Sequence, residues 1–204
     1  MGDAAVNLPL FYFVRHGETE WNAERRLQGR LDIPLNDVGR AQSAQCGSAL
    51  RGLLADRRKV PADFAFISSP LSRARETMEI LRGELGLPQE GYAVEPRLAE
   101  LSFGRWEGLT YAEVRALDGW ALELRERDRW NFTTPDGESY AELLVRVRQW
   151  HASVEGDIIV AAHGGVARAL MVLFAVRTPE DALDGDVGQG VVYEFGPGLM
   201  NRQG

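Results

Sequence analysis

The 204-residue chain predicts an α/β protein: a three-layer α/β/α sandwich around a mostly parallel sheet. Three observations point there. Five short apolar runs, Leu10–Val14, Phe64–Ile67, Tyr92–Val94, Ile158–Ala162 and Val191–Phe195, have the length of buried strands. Stretches with apolar residues at helical spacing lie between them. Two of the runs lead into a histidine followed by glycine, and open α/β sheets bind ligands outside the carboxyl ends of their strands.

In chain order, the first strand leads into Arg15-His16-Gly17-Glu18-Thr19. After Gly39, the residues Cys46, Ala49, Leu50 and Leu53 repeat as one helical face. The second strand is followed by Ser69-Pro70, a cap and first-turn signal for a helix that carries Leu71, Ala74, Met78, Leu81 and Leu85. Residues 101–138 are rich in Trp, Arg and Glu and predict a partly helical, lid-like insertion within a single domain over 1–204. Tyr140, Leu143, Leu144, Val147, His151 and Val154 form a third stripe, so His151 reads as a packing residue. The fourth strand leads into His163-Gly164-Gly165 and a helix from about Val166, and the Val191–Phe195 run closes the pattern.

Composition excludes several classes of function. With 45% hydrophobic and 26% charged residues the chain can bury an ordinary core. Its net charge of −7 gives no global attraction to nucleic acid or an anionic membrane, so an anionic substrate needs a local basic cluster. Lys59 is the only lysine, which argues against Schiff-base chemistry and a Walker-type phosphate loop. Cys46 is the only cysteine, so no internal disulfide forms. No basic residues precede the apolar run Leu8–Val14 as in a signal peptide, and Met1-Gly2 is followed by Val6 where a myristoylation motif needs Ser or Thr. The Val166–Val176 stretch contains Arg168 and is shorter than the roughly 20 residues that span a bilayer. These features predict a cytoplasmic protein. Three histidines and no His-Glu-x-x-His make a poor metal-ligand set, so no metal is expected. There is no Gly-x-Ser-x-Gly elbow, and Gly188-Gln189-Gly190 lacks the third glycine of a dinucleotide motif.

His16 and His163 are the candidates for chemistry. If their strands are parallel neighbours, both imidazoles meet at one sheet edge, where Gly17 and Gly164-Gly165 let backbone approach a ligand. Helix starts near Ser69 and Val166 would add partial positive charge. Arg15, adjacent to His16, would grip an anion and lower the imidazole pKa.

The segment Phe13-Val14-Arg15-His16-Gly17-Glu18-Thr19-Glu20-Trp21-Asn22 resembles the signature of the histidine phosphatase superfamily, in its phosphoglycerate mutase-like branch. The resemblance continues through Leu27-Gln28-Gly29, Asp32-Ile33-Pro34-Leu35-Asn36, Ser68-Ser69-Pro70-Leu71-Ser72-Arg73-Ala74, Leu98-Ala99-Glu100, Gly104-Arg105-Trp106-Glu107-Gly108, Pro135-Asp136-Gly137-Glu138-Ser139 and His163-Gly164-Gly165. It implies a metal-independent phosphatase without a cofactor, acting on a small phosphorylated substrate, with a homodimer left open. By resemblance, His16 is the nucleophile that becomes phosphorylated, and Arg15 and Arg73 clamp the phosphate. His163 contacts the transferring group, and Glu100 donates a proton to the leaving oxygen and then serves as base toward water. Asn22, Gln28, Gly29 and Gly164 match substrate-contacting positions. Arg75 and Arg82 read as solvated helix residues. Phe103 stands where the cofactor-dependent mutases carry a tyrosine. The arginines Arg115, Arg125, Arg127 and Arg129 alternate with acids as on a solvated helix, which favours water as the phosphoryl acceptor. A mutase, with Arg129 reaching the pocket, is the alternative, and a non-catalytic phospholigand-binding protein is the rival outside enzymes.

Overall fold

A computed structural model describes residues 9–203, so the reading of Met1–Val6 lies outside the described residues. Six strands form one sheet in the order β3-β2-β4-β1-β5-β6. They are β1 (Phe11–Arg15), β2 (Ala65–Ser68), β3 (Ala93–Val94), β4 (Ile158–Ala162), β5 (Val192–Gly196) and β6 (Leu199–Gln203). β3, β2, β4 and β1 run parallel, whereas β5 is antiparallel to β1 and to β6. The sheet is therefore mostly parallel, as the sequence predicts. The last strand, β6, has no apolar run: only Met200 is even partly buried against the core, and such an edge strand carries little periodicity to read.

Alternation along the central strands builds the layers. Phe11, Phe13, Ile158, Val160 and Ala162 point to one face, where they meet α5 (Tyr140–His151) and α6 (Gly164–Leu173). Tyr12, Val14, Ile159 and Ala161 point to the other, against α2 (Asp37–Asp56) and α3 (Ser72–Glu84). A short helix, α1 (Glu20–Ala23), follows β1. Local chemistry places the helix starts: Asn36 Oδ1 accepts the Gly39 N–H at the start of α2, and Ser139 and Glu142 form a capping box at α5.

The expected start of α3 is displaced. Ser69-Pro70 does not cap it; the helix begins at Ser72, whose N–H donates to Asp32 Oδ1 at 2.7 Å. Ser69 is thereby released for another role. Arg82 is also not solvated: it is buried over the Phe66 ring and donates to the carbonyls of Pro88 and Glu90. His151 packs between Phe11 and Phe174 as its stripe suggests.

Residues 101–138 contain a short turn of 3-10 helix at Gly104–Trp106 and α4 (Tyr111–Arg127), which is broken at Asp118. The break allows Arg115 to pair with Glu126, eleven positions away. Arg125 is buried and lies over Tyr111, which corrects the reading of this helix as solvated throughout. Leu27, Trp106, Val114 and Leu122 make a small core of their own, separate from the two faces of the sheet.

Candidate active site

The parallel register puts the two histidines side by side. Arg15 is level with Ala162, so His16 and His163 each follow the last residue of adjacent strands, and the His16 N–H extends the ladder to Ala162 O at 2.9 Å. Their ring centroids are 5.1 Å apart, and both residues are buried. Ser69, just past the end of β2 on the other side of β4, brings its Oγ to 2.6 Å from His163 Nε2. Three adjacent strand ends thus contribute to one site.

Hydrogen bonding fixes the tautomer of His16. Its Nδ1 lies 2.7 Å from Gly17 O, and a carbonyl only accepts, so Nδ1 carries the proton and Nε2 keeps a lone pair. Burial is the main reason that the pKa of His16 lies well below 6.5, and the Arg73 and Arg15 cations push it further down. Burial, Arg73, His16, Arg15 and Arg146 do the same to His163. Both rings are therefore neutral at pH 7.

Arg73 comes from the first turn of α3 and is 1% exposed. Its two terminal nitrogens donate to Leu31 O and Gly29 O, each at 2.8 Å, which orients the guanidinium from behind. Burial lowers its pKa to about 10, which still leaves it charged at neutral pH. Arg15 is held by Val187 O at 2.6 Å and lies 3.7 Å from Asp186. The Nε atoms of both arginines, Nδ1 of His163 and Oε1 of Gln28 are buried with no protein partner. Unpaired buried polar groups are costly and rare. The two Nε–H groups, and His163 Nδ1 when it carries the ring proton, fit the oxygens of a phosphoryl group.

Glu100 lies at the start of α6, where its carboxylate accepts the Gly165 N–H at 3.1 and 3.2 Å. Gly164 opens that helix beside Arg15. Gln28 is buried in the loop that leads to Gly29, and Asn22 caps the turn at Thr19. Gly17 departs from expectation: the space a side chain would take is filled by the Gly39 backbone, so its close approach is to α2 and not to a ligand. Arg129 also turns away, donating to Leu183 O and pairing with Asp184.

Ser69, Gln189 and Arg146 complete the arrangement without having been read from the sequence. Gln189 Nε2 donates to His16 O and to Asn22 Oδ1, at 3.3 and 3.0 Å. It sits in the Gly-Gln-Gly stretch that fails as a dinucleotide motif. Arg146 pairs with Glu138 and donates to the carbonyl of Glu100 at 3.1 Å. Ser69 had a signal, since it directly follows a strand, β2, as His163 directly follows β4. The other two depend on long-range folding. Among the described residues, no group of three or more His, Cys, Asp or Glu side chains is placed to hold a metal ion, and no helix is long and apolar enough to cross a membrane.

Fold and site together define an α/β protein with a pair of histidines and a pair of arginines converging at the carboxyl end of a mostly parallel sheet. The chain belongs to the histidine phosphatase superfamily (branch 1), whose family model matches residues 11–197. It is 32% identical to a 2,3-bisphosphoglycerate-dependent phosphoglycerate mutase of Beijerinckia indica, over 91% of each chain. It is 34% identical to a glucosyl-3-phosphoglycerate phosphatase of Mycolicibacterium vanbaalenii, over 77% of this chain and 70% of the relative. The solved structure of a mycobacterial glucosyl-3-phosphoglycerate phosphatase superposes with a TM-score of 0.74 at 27% identity, over 91% of this chain and 89% of that one.

Proposed function

We propose that the protein is a phosphomonoester hydrolase that acts on a small phosphorylated metabolite through a phosphohistidine at His16. The observation that carries this reading is the His16 tautomer: Nε2 holds a buried lone pair in the neighbourhood of the unpaired Arg15 Nε, Arg73 Nε and His163 Nδ1. Phosphoryl transfer needs chiefly an aligned nucleophile and fixed positive charge around the equatorial oxygens.

In the first step His16 Nε2 attacks phosphorus and the ester P–O bond breaks. Glu100, in its acid form, gives a proton to the departing oxygen. Arg15 and Arg73 stabilise the phosphoryl oxygens, and arginine forks suit them better than ammonium does. When the Ser69 hydroxyl donates to His163 Nε2, the His163 proton sits on Nδ1 and adds a donor. In the second step Glu100 takes a proton from water as its oxygen attacks phosphorus. The N–P bond breaks, releasing orthophosphate and restoring neutral His16.

Hydrolysis is favoured over mutase activity by what surrounds the site. A mutase retains a bisphosphorylated intermediate and needs cations for its second anionic end. Arg115 pairs with Glu126, Arg125 lies over Tyr111 and Arg129 holds Asp184. Phe103 has no hydroxyl to offer. The similarity to the Beijerinckia mutase makes mutase activity the second reading. A turnover screen over a phosphomonoester panel, with His16→Ala as control, tests hydrolysis. Incubation with 3-phosphoglycerate and a bisphosphoglycerate primer separates the two activities: orthophosphate release should outpace isomer interconversion. The reverse would make the protein a mutase, and binding without turnover would make it a phospholigand-binding protein.

A further inference from the structure

The two halves of the site, the Arg73 clamp and the Glu100 segment, lie on different loops, and one carboxylate joins them. Glu107 Oε1 accepts the Arg30 N–H at 3.0 Å, the Phe103 N–H at 3.1 Å and the Ser102 hydroxyl at 3.2 Å. Arg30 lies between Gly29 and Leu31, whose carbonyls hold the Arg73 guanidinium. Ser102 and Phe103 stand two and three residues after Glu100. The fit is tight: Gly29 has φ +54°, and a side chain there would run into the Glu107 carboxylate. Beside this junction the loop and the insertion pair further, through Leu27 N–H to Leu109 O and Gly108 N–H to Leu27 O.

We infer that Glu107 is a positioning residue: by holding both loops on one oxygen, it sets where the Arg73 guanidinium stands relative to Glu100. This rests on the phosphatase reading of the same site. Three acceptor contacts at one atom define a point in space. If that point is lost, the two carbonyls that aim Arg73 are tied to the Glu100 segment only at a distance, through contacts such as the Leu27–Leu109 and Gly108–Leu27 pairs. Displacing a catalytic group by about 1 Å costs on the order of 10²-fold in rate.

Three variants of the full chain separate position from charge. Glu107→Gln keeps an acceptor oxygen at the same reach and loses the charge. Glu107→Asp keeps the charge and draws the oxygens back by one methylene. Glu107→Ala loses both. Orthophosphate affinity, measured by calorimetry, is the first readout, and kcat and KM on para-nitrophenyl phosphate are the second. The expected order is wild type, then Gln within a few-fold, then Asp, then Ala weakened about 10²-fold in both orthophosphate affinity and kcat/KM. Gln and Asp decide the matter even if Ala does not fold. Asp near wild type with Gln impaired would overturn the inference in favour of a charge effect on Arg73. Equal orthophosphate affinity and equal kinetics in all folded variants would reduce Glu107 to a structural residue and overturn it too. A wild-type protein that neither binds orthophosphate nor turns over a phosphomonoester would instead remove the phosphatase reading, and this inference with it.

Discussion

The carboxyl end of the sheet and the 101–138 segment meet at the site but are built on different plans. At the sheet end, His16, Ser69 and His163 are fixed by three neighbouring strands, and their backbones are part of the ladder or directly continue it. The 101–138 segment has a core of only a few side chains around Trp106, and it holds to the rest through loop contacts such as Glu107 with Arg30. A rigid edge suits the groups that must meet phosphorus.

The largest effect expected in residues 101–138 comes from Trp106→Ala. Trp106 is 1% exposed and anchors that small core, so truncation should cost about 3–5 kcal/mol of stability. Its indole N–H has no partner, so Trp106→Phe should cost less. Hydrogen exchange should show amides of residues 103–134 losing protection well before those of β1 and β4. Simultaneous loss across both regions would mean that they unfold as one unit and would break the comparison.

A smaller effect sharpens the contrast from the other side. The pKa values of His16 and His163 are both lowered from 6.5 by burial and by the site arginines. An unfolded chain therefore takes up protons at these rings first as pH falls. The sign follows: stability is unaffected by them above about pH 6.5 and declines as pH falls below it toward the depressed native values. NMR titration of the imidazoles should find His16 and His163 neutral at pH 6.5. A midpoint at or above 6.5 for His16 would contradict a buried, arginine-flanked nucleophile.

The same division explains what the sequence could reveal. Strands β1 and β4 are continuous apolar runs because both faces of the sheet are covered, and His16 and His163 stand out as polar residues at their ends. Arg73 is different: spacing on a helix does not distinguish it from Arg75, and only the resemblance singled it out. Ser69 was misread because Ser-Pro is also a helix-start signal, and Asp32, forty residues away, takes over the cap. The burial of Arg82 and Arg125 depends on carbonyls and a ring supplied by folding. The break in α4 falls on Asp118-Gly119, a turn-type pair inside an otherwise helical stretch.

The proposed phosphoryl carrier is His16. Rapid mixing with para-nitrophenyl phosphate, a quench at high pH and peptide mass spectrometry test it most directly. An acid-labile, base-stable phosphoryl group should be found on His16 and should disappear in His16→Ala together with turnover. Turnover with no trapped phosphate at His16, or a phosphoryl group on Ser69 or His163 instead, would contradict it.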